Sequence, residues 1–359
     1  MDPQLILFRR QYLQIFKPDF LAWPPKQLLR DAHIQAWLYT HLFDSEKNSM
    51  LPPQRYQLRV LKPLLARIEQ AIEDPEEDEI SDDLMSHLSV LISANLPSET
   101  TAAQQKSYVT FVCLPPGSDQ DMDYRNEPSI TLLERRHLIS GSLTTGFRTW
   151  EAALHLGSYL LSPEGQKVVN GRSVLELGAG TGFLAILAAK HLQARHVTTT
   201  DGDEGVVEAL QENLFLNGLD DSKNVINSVL RWGSGLKGSW IEDDCEEFPY
   251  DVVVGADITY DKVAISALVA TLRMLFDMRP KLEVLISGAI RNPETFETFR
   301  HACCEYSYRE IDARVWLTVL VRNKFDISEI EFQPRPIREQ TSLFYATAVP
   351  LKILLIRRP

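Results

Sequence analysis

The pattern of apolar and polar positions divides the chain into two textures. In the first hundred residues the apolar positions recur at helical spacing. Leu28, Leu29, Ala32, Ala36, Trp37 and the stretch from Tyr39 to Phe43 form one such set, and Leu58, Leu61, Leu64, Leu65 and Ile68 form another. Pro24-Pro25 and Pro52-Pro53 stand near the starts of these segments, where proline is tolerated. A further helix is expected from Leu84 to Leu96, after an acidic run from Glu73 to Asp83 that reads as a solvated loop or helix end.

Beyond this region the period changes. Ser107 to Leu114 and Ile130 to Leu133 are short, β-rich and joined by a polar loop, which predicts a hairpin. From Gly146 onward strands and helices alternate. Strands are expected at Ser173 to Leu177, Val197 to Thr200, Val225 to Val229, Asp251 to Ala256, Glu283 to Ser287 and, near the C-terminus, Leu351 to Ile356. Helices are expected at Leu184 to His191, Glu204 to Leu216 and Lys262 to Phe276. This alternation predicts an α/β fold, a parallel doubly wound sheet with helices on both faces. The expected organisation is a helical domain over residues 1–100 and a catalytic domain over 101–359 that begins with the hairpin.

The first strand of this region runs into Glu176-Leu177-Gly178-Ala179-Gly180-Thr181-Gly182. Glycines in such a turn let backbone approach a ligand closely, beside the N-terminus of the next helix. A dinucleotide site calls for glycine at the third position of G-x-G-x-x-G, where this chain has Phe183. Glu176 is also awkward beside a pyrophosphate. The second strand ends in Asp201, nineteen residues past Gly182, where a carboxylate can accept both ribose hydroxyls or cap the next helix. Together these features describe an adenosyl ligand without phosphates and with a cationic amino-acid end, and S-adenosylmethionine fits. Trp232, after the third strand, stands where an indole can stack on adenine. Trp150 precedes the helix that leads to the first strand.

The fourth strand ends in Asp257-Ile258-Thr259-Tyr260. In open α/β sheets the ligand sits outside the carboxyl ends of the strands, so Asp257 and Tyr260 are the candidate catalytic pair. An acid and a phenol suit a cationic amine. Asp257 could instead cap the following helix. A lysine amine has a pKa of about 10.4 and must shed a proton before it attacks. Asp257 alone would oppose that loss, so it is cast as an orienting acceptor, with Tyr260 shaping the lysine channel.

Composition narrows the acceptor. Of the 359 residues 44% are hydrophobic and 24% charged, an ordinary globular balance, and the formal net charge is −12. Without a basic cluster such a surface repels phosphate backbones, so nucleic acid is not expected as a partner. The four cysteines lack the paired spacing of a zinc site, so no metal is expected and free thiols in a reducing compartment are. The apolar run Val315 to Val321 is far short of the ~20 residues that span a bilayer. The expectation is a cytoplasmic monomer with no membrane segment.

Trp150-Glu151-Ala152-Ala153, Val174 to Gly182, Trp232-Gly233 and Ala256 to Tyr260 resemble methyltransferase family 16, a group of class I, seven-strand protein-lysine methyltransferases. Ile290-Arg291-Asn292-Pro293-Glu294-Thr295 resembles a segment of one branch, the elongation factor 2 lysine methyltransferases, which also carry a helical N-terminal domain. The resemblance covers about Gly146 to Phe299. It implies that Trp150, Gly178, Ala179, Gly180, Trp232 and Ala256 contact the cofactor, and that elongation factor 2 is the protein substrate. A nicotinamide oxidoreductase shares the layout but is opposed by Phe183 and Glu176. A methyltransferase of RNA or of a small molecule would carry the same cofactor motif, which is indifferent to the acceptor. The acidic balance speaks against RNA. A non-catalytic binding protein on this fold would be expected to have lost Glu176, Asp201 or Asp257, and all three are present.

Overall fold

The computed structural model describes all residues except 75, 77, 99, 100, 102–104, 117–122, 136–144, 305, 313–316, 323 and 324, and for 306–312 and 317–322 it describes the backbone alone. Parts of the acidic run and of the apolar run at 315–321 lie outside the described residues. The chain forms two compact units, Met1–Arg148 with Ile337–Phe344, and Thr149–Pro336 with Tyr345–Pro359.

The first unit is built on helices α1 (Pro3–Leu13), α2 (Lys26–Leu29), α3 (Ala32–Leu42), α4 (Gln54–Glu69) and α5 (Asp82–Ser93). Leu5, Phe8, Tyr12, Leu38, Leu42, Leu61, Leu64 and Ile68 share one buried cluster, which accounts for the helical spacing of the sequence. Tyr12 is buried within it, and its hydroxyl donates to the Leu42 carbonyl at 2.7 Å. The acidic run ends where Ser81 caps α5, with Asp82 and Asp83 in the first turn, so part of that charge complements the helix N-terminus.

The expected hairpin forms, with β1 (Ser107–Val112) antiparallel to β2 (Ser129–Glu134). It groups with the helices, whereas the sequence placed it with the catalytic region. The reason lies in two buried ties. Glu127, just before β2, takes the guanidinium of Arg10 at 2.6 Å with both side chains buried. Gln14 bonds both backbone polar groups of Phe344, which draws 337–344 into the same unit. A buried ion pair of this kind fixes geometry more than it adds stability.

The second unit carries a seven-stranded sheet in the order β10-β11-β7-β6-β3-β4-β5. The strands are β3 (Ser173–Leu177), β4 (His196–Asp201), β5 (Val225–Val229), β6 (Val252–Ala256), β7 (Glu283–Ala289), β10 (Asp326–Ile330) and β11 (Leu351–Arg357). The five strands expected between 173 and 287 are all present and parallel. β11 runs antiparallel to β7 and β10 antiparallel to β11. Between β7 and β10 the backbone of β8 (Tyr306–Asp312) pairs with β9 (Leu317–Arg322) as a separate antiparallel hairpin. Central β3 is buried along its whole length, as a parallel strand covered on both faces must be.

Helices α6 (Glu151–Leu160), α7 (Pro163–Val169), α8 (Phe183–His191), α9 (Glu204–Leu216), α10 (Trp240–Glu247), α11 (Lys262–Met278) and α12 (Pro293–Cys304) connect these strands. α8 is buried from Phe183 to Ala188 without a polar face, the mark of a helix enclosed on all sides. The chain leaves β3 toward β4 on one side and returns to β6 on the other. That reversal opens a crevice at the carboxyl ends of β3 and β6, where open α/β sheets bind their ligands.

Candidate active site

The loop after β3 turns through left-handed backbone at Gly178 (φ +66°), Gly180 (φ +55°) and Gly182 (φ +81°), which L-residues rarely adopt. Close approach adds to this at Gly178. A Cβ there would lie 2.6 Å from Ile258 Cγ2 and 3.3 Å from the Trp232 ring. The loop from β3, the indole after β5 and the turn after β6 therefore converge on one point, as the sequence expects of a cofactor crevice. The loop is fastened by the Ala179 N–H donating to the Thr200 carbonyl at 2.9 Å and by the Asn213 side-chain amide donating to the Thr181 carbonyl at 3.0 Å.

Asp201, at the end of β4, accepts the Gly180 N–H through Oδ2 at 3.1 Å and the Asp203 N–H through Oδ1 at 3.2 Å. It does not cap the following helix, because Asp203 does, accepting from Val206. Burial raises the Asp201 carboxyl above its ordinary range, against the pull of those backbone donors.

Glu176 stands near the end of β3, and its carboxyl is engaged within the fold. It is 3% exposed, and its Oε2 accepts both the Ala185 N–H in the first turn of α8 and the Thr199 hydroxyl, each at 3.1 Å. Burial pushes this carboxyl up to about 8. From that position it ties the first turn of α8 to β4.

At the end of β6, Ala256 pairs with Ser287 of β7. Asp257 then turns into left-handed backbone (φ +54°), with its N–H donating to the Ser287 carbonyl at 2.8 Å. Its Oδ1 accepts from the Ala289 N–H and its Oδ2 from Arg291 Nη1, both at 3.0 Å. The next helix, α11, is capped by Asp261, which accepts the Val263 N–H, so capping does not explain Asp257. Tyr260 is 63% exposed and Val263 82%, an apolar rim beside this turn.

Trp150 occupies the position before α6, half-buried, in extended backbone. The adjacent Thr149 places its hydroxyl 2.7 Å from that of Thr181, joining this segment to the glycine loop. Two residues near Trp150 carry no assigned role in the sequence reading, although both stand in the segments quoted there. Arg291, just past β7, lies with its guanidinium 5.3 Å from the Trp150 ring centre, and Glu151 accepts from Arg291 Nη2 at 3.2 Å. An arginine at a strand's carboxyl end, beside an acidic strand end, is the signal that could have found the pair.

The donor set fits S-adenosylmethionine. The crevice offers a glycine loop too tight for side chains, a strand-end carboxylate, an indole and apolar surface. The strand-end acid at 201 opposes a phosphate and suits the ribose hydroxyls of an adenosyl group, while Glu176 is engaged inside the fold.

Comparison with known proteins gives the same direction. Residues 137–302 match the family described as lysine methyltransferase. The chain is 45% identical to Protein-lysine N-methyltransferase EFM3 of Chaetomium thermophilum, over 99% of this chain and 98% of that protein. It is 34% identical to the protein of the same name in Saccharomyces cerevisiae over 50% of this chain and 55% of that one. Protein-lysine N-methyltransferase EEF2KMT of Homo sapiens is 35% identical over 48% of this chain and 53% of that one.

Proposed function

The chain belongs to the lysine methyltransferase family, and on that premise we propose that its acceptor is a lysine of elongation factor 2. It is a protein-lysine N-methyltransferase, and S-adenosylmethionine is its methyl donor. The observation that carries the proposal is likeness along nearly the whole chain, both units included, to a protein-lysine N-methyltransferase named EFM3. It is supported by the likeness to EEF2KMT and by the Arg291-Asn292-Pro293-Glu294-Thr295 segment.

When bound, S-adenosylmethionine supplies a methyl group already activated on a cationic sulfur. The chain's task is to bind and orient. Gly178, Ala179 and Gly180 give backbone access, Asp201 receives the ribose hydroxyls, Trp232 stacks on the base, and Ala256 and Trp150 complete the walls. Glu176 acts at a distance, through the bonds that hold α8 to β4. Asp257 accepts an N–H of the incoming lysine and aims its lone pair, while Tyr260 lines the approach. The lysine gives its proton to water before attack, and alignment supplies most of the acceleration. A folded substrate offers more surface than a lysine pocket can discriminate, so the helical N-terminal region is assigned a share in its selection. The protein is assigned to the cytoplasm as a monomer.

Mass spectrometry of elongation factor 2 from cells lacking this protein tests the acceptor. One lysine is expected to lose its methylation, and an unchanged pattern would remove elongation factor 2 as the substrate.

A further inference from the structure

Four residues of the segment after β7 have traceable roles. Asn292 caps α12, accepting the Glu294 N–H at 2.9 Å. Pro293 opens the helix, where a missing N–H costs nothing. Glu294 holds Lys262 at 2.7 Å across to α11. Arg291 alone sends its side chain to the reaction end, where Asp257, Glu151 and the Trp150 face surround one guanidinium.

We propose that Arg291 is a positioning residue that offsets the charge of Asp257, so that the acceptor lysine can lose its proton. The inference rests on the reading that Asp257 faces the acceptor amine. An uncompensated carboxylate within 4–6 Å of an amine holds it as ammonium, shifting its pKa by about 1–3 units. Asp257 is 10% exposed at its side chain, and one oxygen is already joined to a fixed cation at 3.0 Å. Each carboxylate oxygen keeps a second lone pair, so Asp257 can still accept an amine N–H while its pull on the proton is reduced. Glu151 shares the same guanidinium, and the local formal charge is −1 with Arg291 and −2 without it. Of the charged residues next along these two segments, Lys262 pairs with Glu294, and Asp261 caps α11 and keeps its charge with or without Arg291. The indole face adds a favourable site for the guanidinium, which helps keep it over the crevice. In the step itself the ammonium proton passes to water. The nitrogen lone pair then forms the N–C bond as the C–S bond breaks, its electron pair remaining on sulfur.

The test is the pH dependence of methyl transfer by the full chain. Labelled donor is supplied to an extract of cells lacking the protein, and the labelled band seen only with added enzyme is followed from pH 7 to pH 10. Wild-type labelling in this assay is independent of which protein carries the lysine, so failure of the elongation factor 2 assignment stays separate. For Arg291→Gln, kcat at pH 7.5 is expected to fall about ten-fold or more, with the deficit closing as the pH rises and KM unchanged or lower. Arg291→Lys, which keeps the charge but loses the two-pronged bridge and the stack, is expected to recover part of the loss at pH 7.5. S-adenosylmethionine affinity by calorimetry is expected to change by less than about three-fold in both variants. A loss equal at every pH and not relieved by lysine, a large loss of cofactor affinity, or no change in Arg291→Gln would each overturn the proposal.

Discussion

Asp201 Oδ2 accepts the backbone N–H of Gly180 at 3.1 Å, which joins the end of β4 to the glycine turn after β3. A carboxylate in that bond supports the loop and keeps lone pairs free for a ribose. Asp201→Ala is expected to weaken S-adenosylmethionine binding about ten-fold or more. Trp232→Ala is expected to cost about 1–3 kcal/mol of binding through the lost stack. Calorimetry with folded variants checks both, and wild-type affinity in the two would contradict this placement of the cofactor.

Asp257 is expected to separate binding from transfer. Asp257→Ala should retain much of the cofactor affinity and lose roughly 10²-fold in kcat, because a misaligned amine forfeits the orientation the site supplies. Turnover close to wild type would show that Asp257 serves only to hold the turn after β6 to the end of β7, through the Ala289 N–H.

Two glycines with similar backbone distinguish strain from close approach. Gly171 (φ +70°) has nothing within 4 Å of an added Cβ, whereas Gly178 (φ +66°) would meet Ile258 Cγ2 at 2.6 Å. Gly171→Ala is expected to cost about 1–2 kcal/mol from left-handed backbone alone. Gly178→Ala should cost more and also reduce cofactor affinity, read by denaturant melts and calorimetry. Equal effects at the two sites would show that the contact with Ile258 and Trp232 is dispensable.

The central strands were legible because a parallel sheet covered on both faces demands apolar runs between helices, as in β6, where Val252, Val253 and Val254 are all buried. The cofactor loop was legible because few residue types tolerate its backbone. β10 was missed because its residues alternate between exposed and half-buried, leaving little apolar signal at a sheet edge. α12 follows a proline and mixes polar with aromatic positions, so its few buried residues, Phe296, Phe299 and Cys303 among them, carry a diluted period. The meeting of Asp257 and Arg291 was out of reach for local pattern. It depends on β6 and β7 lying side by side, thirty-four positions apart in sequence. Glu176 shows the converse, since its motif placed it correctly at a strand end without telling which way the carboxylate turns.

Glu176 also gives a pH signature. Its carboxyl is pushed by burial from an ordinary 4.5 up to about 8, so the folded state binds more protons than the unfolded state between those values. The stability it contributes is fully present below about 4.5 and is lost as the pH rises through about 8. Glu176→Gln keeps an acceptor for Ala185 and Thr199 and removes the ionisation. Relative to wild type, the variant is expected to gain thermal stability from pH 6 to pH 8.5. A constant difference over that range would show that Glu176 is ionised in the fold throughout.

The measurement closest to the central claim is transfer in a purified system. Full-length protein, S-adenosylmethionine and elongation factor 2 taken from cells lacking this protein are combined, and the factor is mapped by mass spectrometry. The account predicts that one lysine gains methyl groups with the wild-type enzyme and gains none with Asp257→Ala or Asp201→Ala. An unmodified factor in the presence of active, cofactor-binding enzyme would contradict the substrate, and methylation undiminished in both variants would contradict the site.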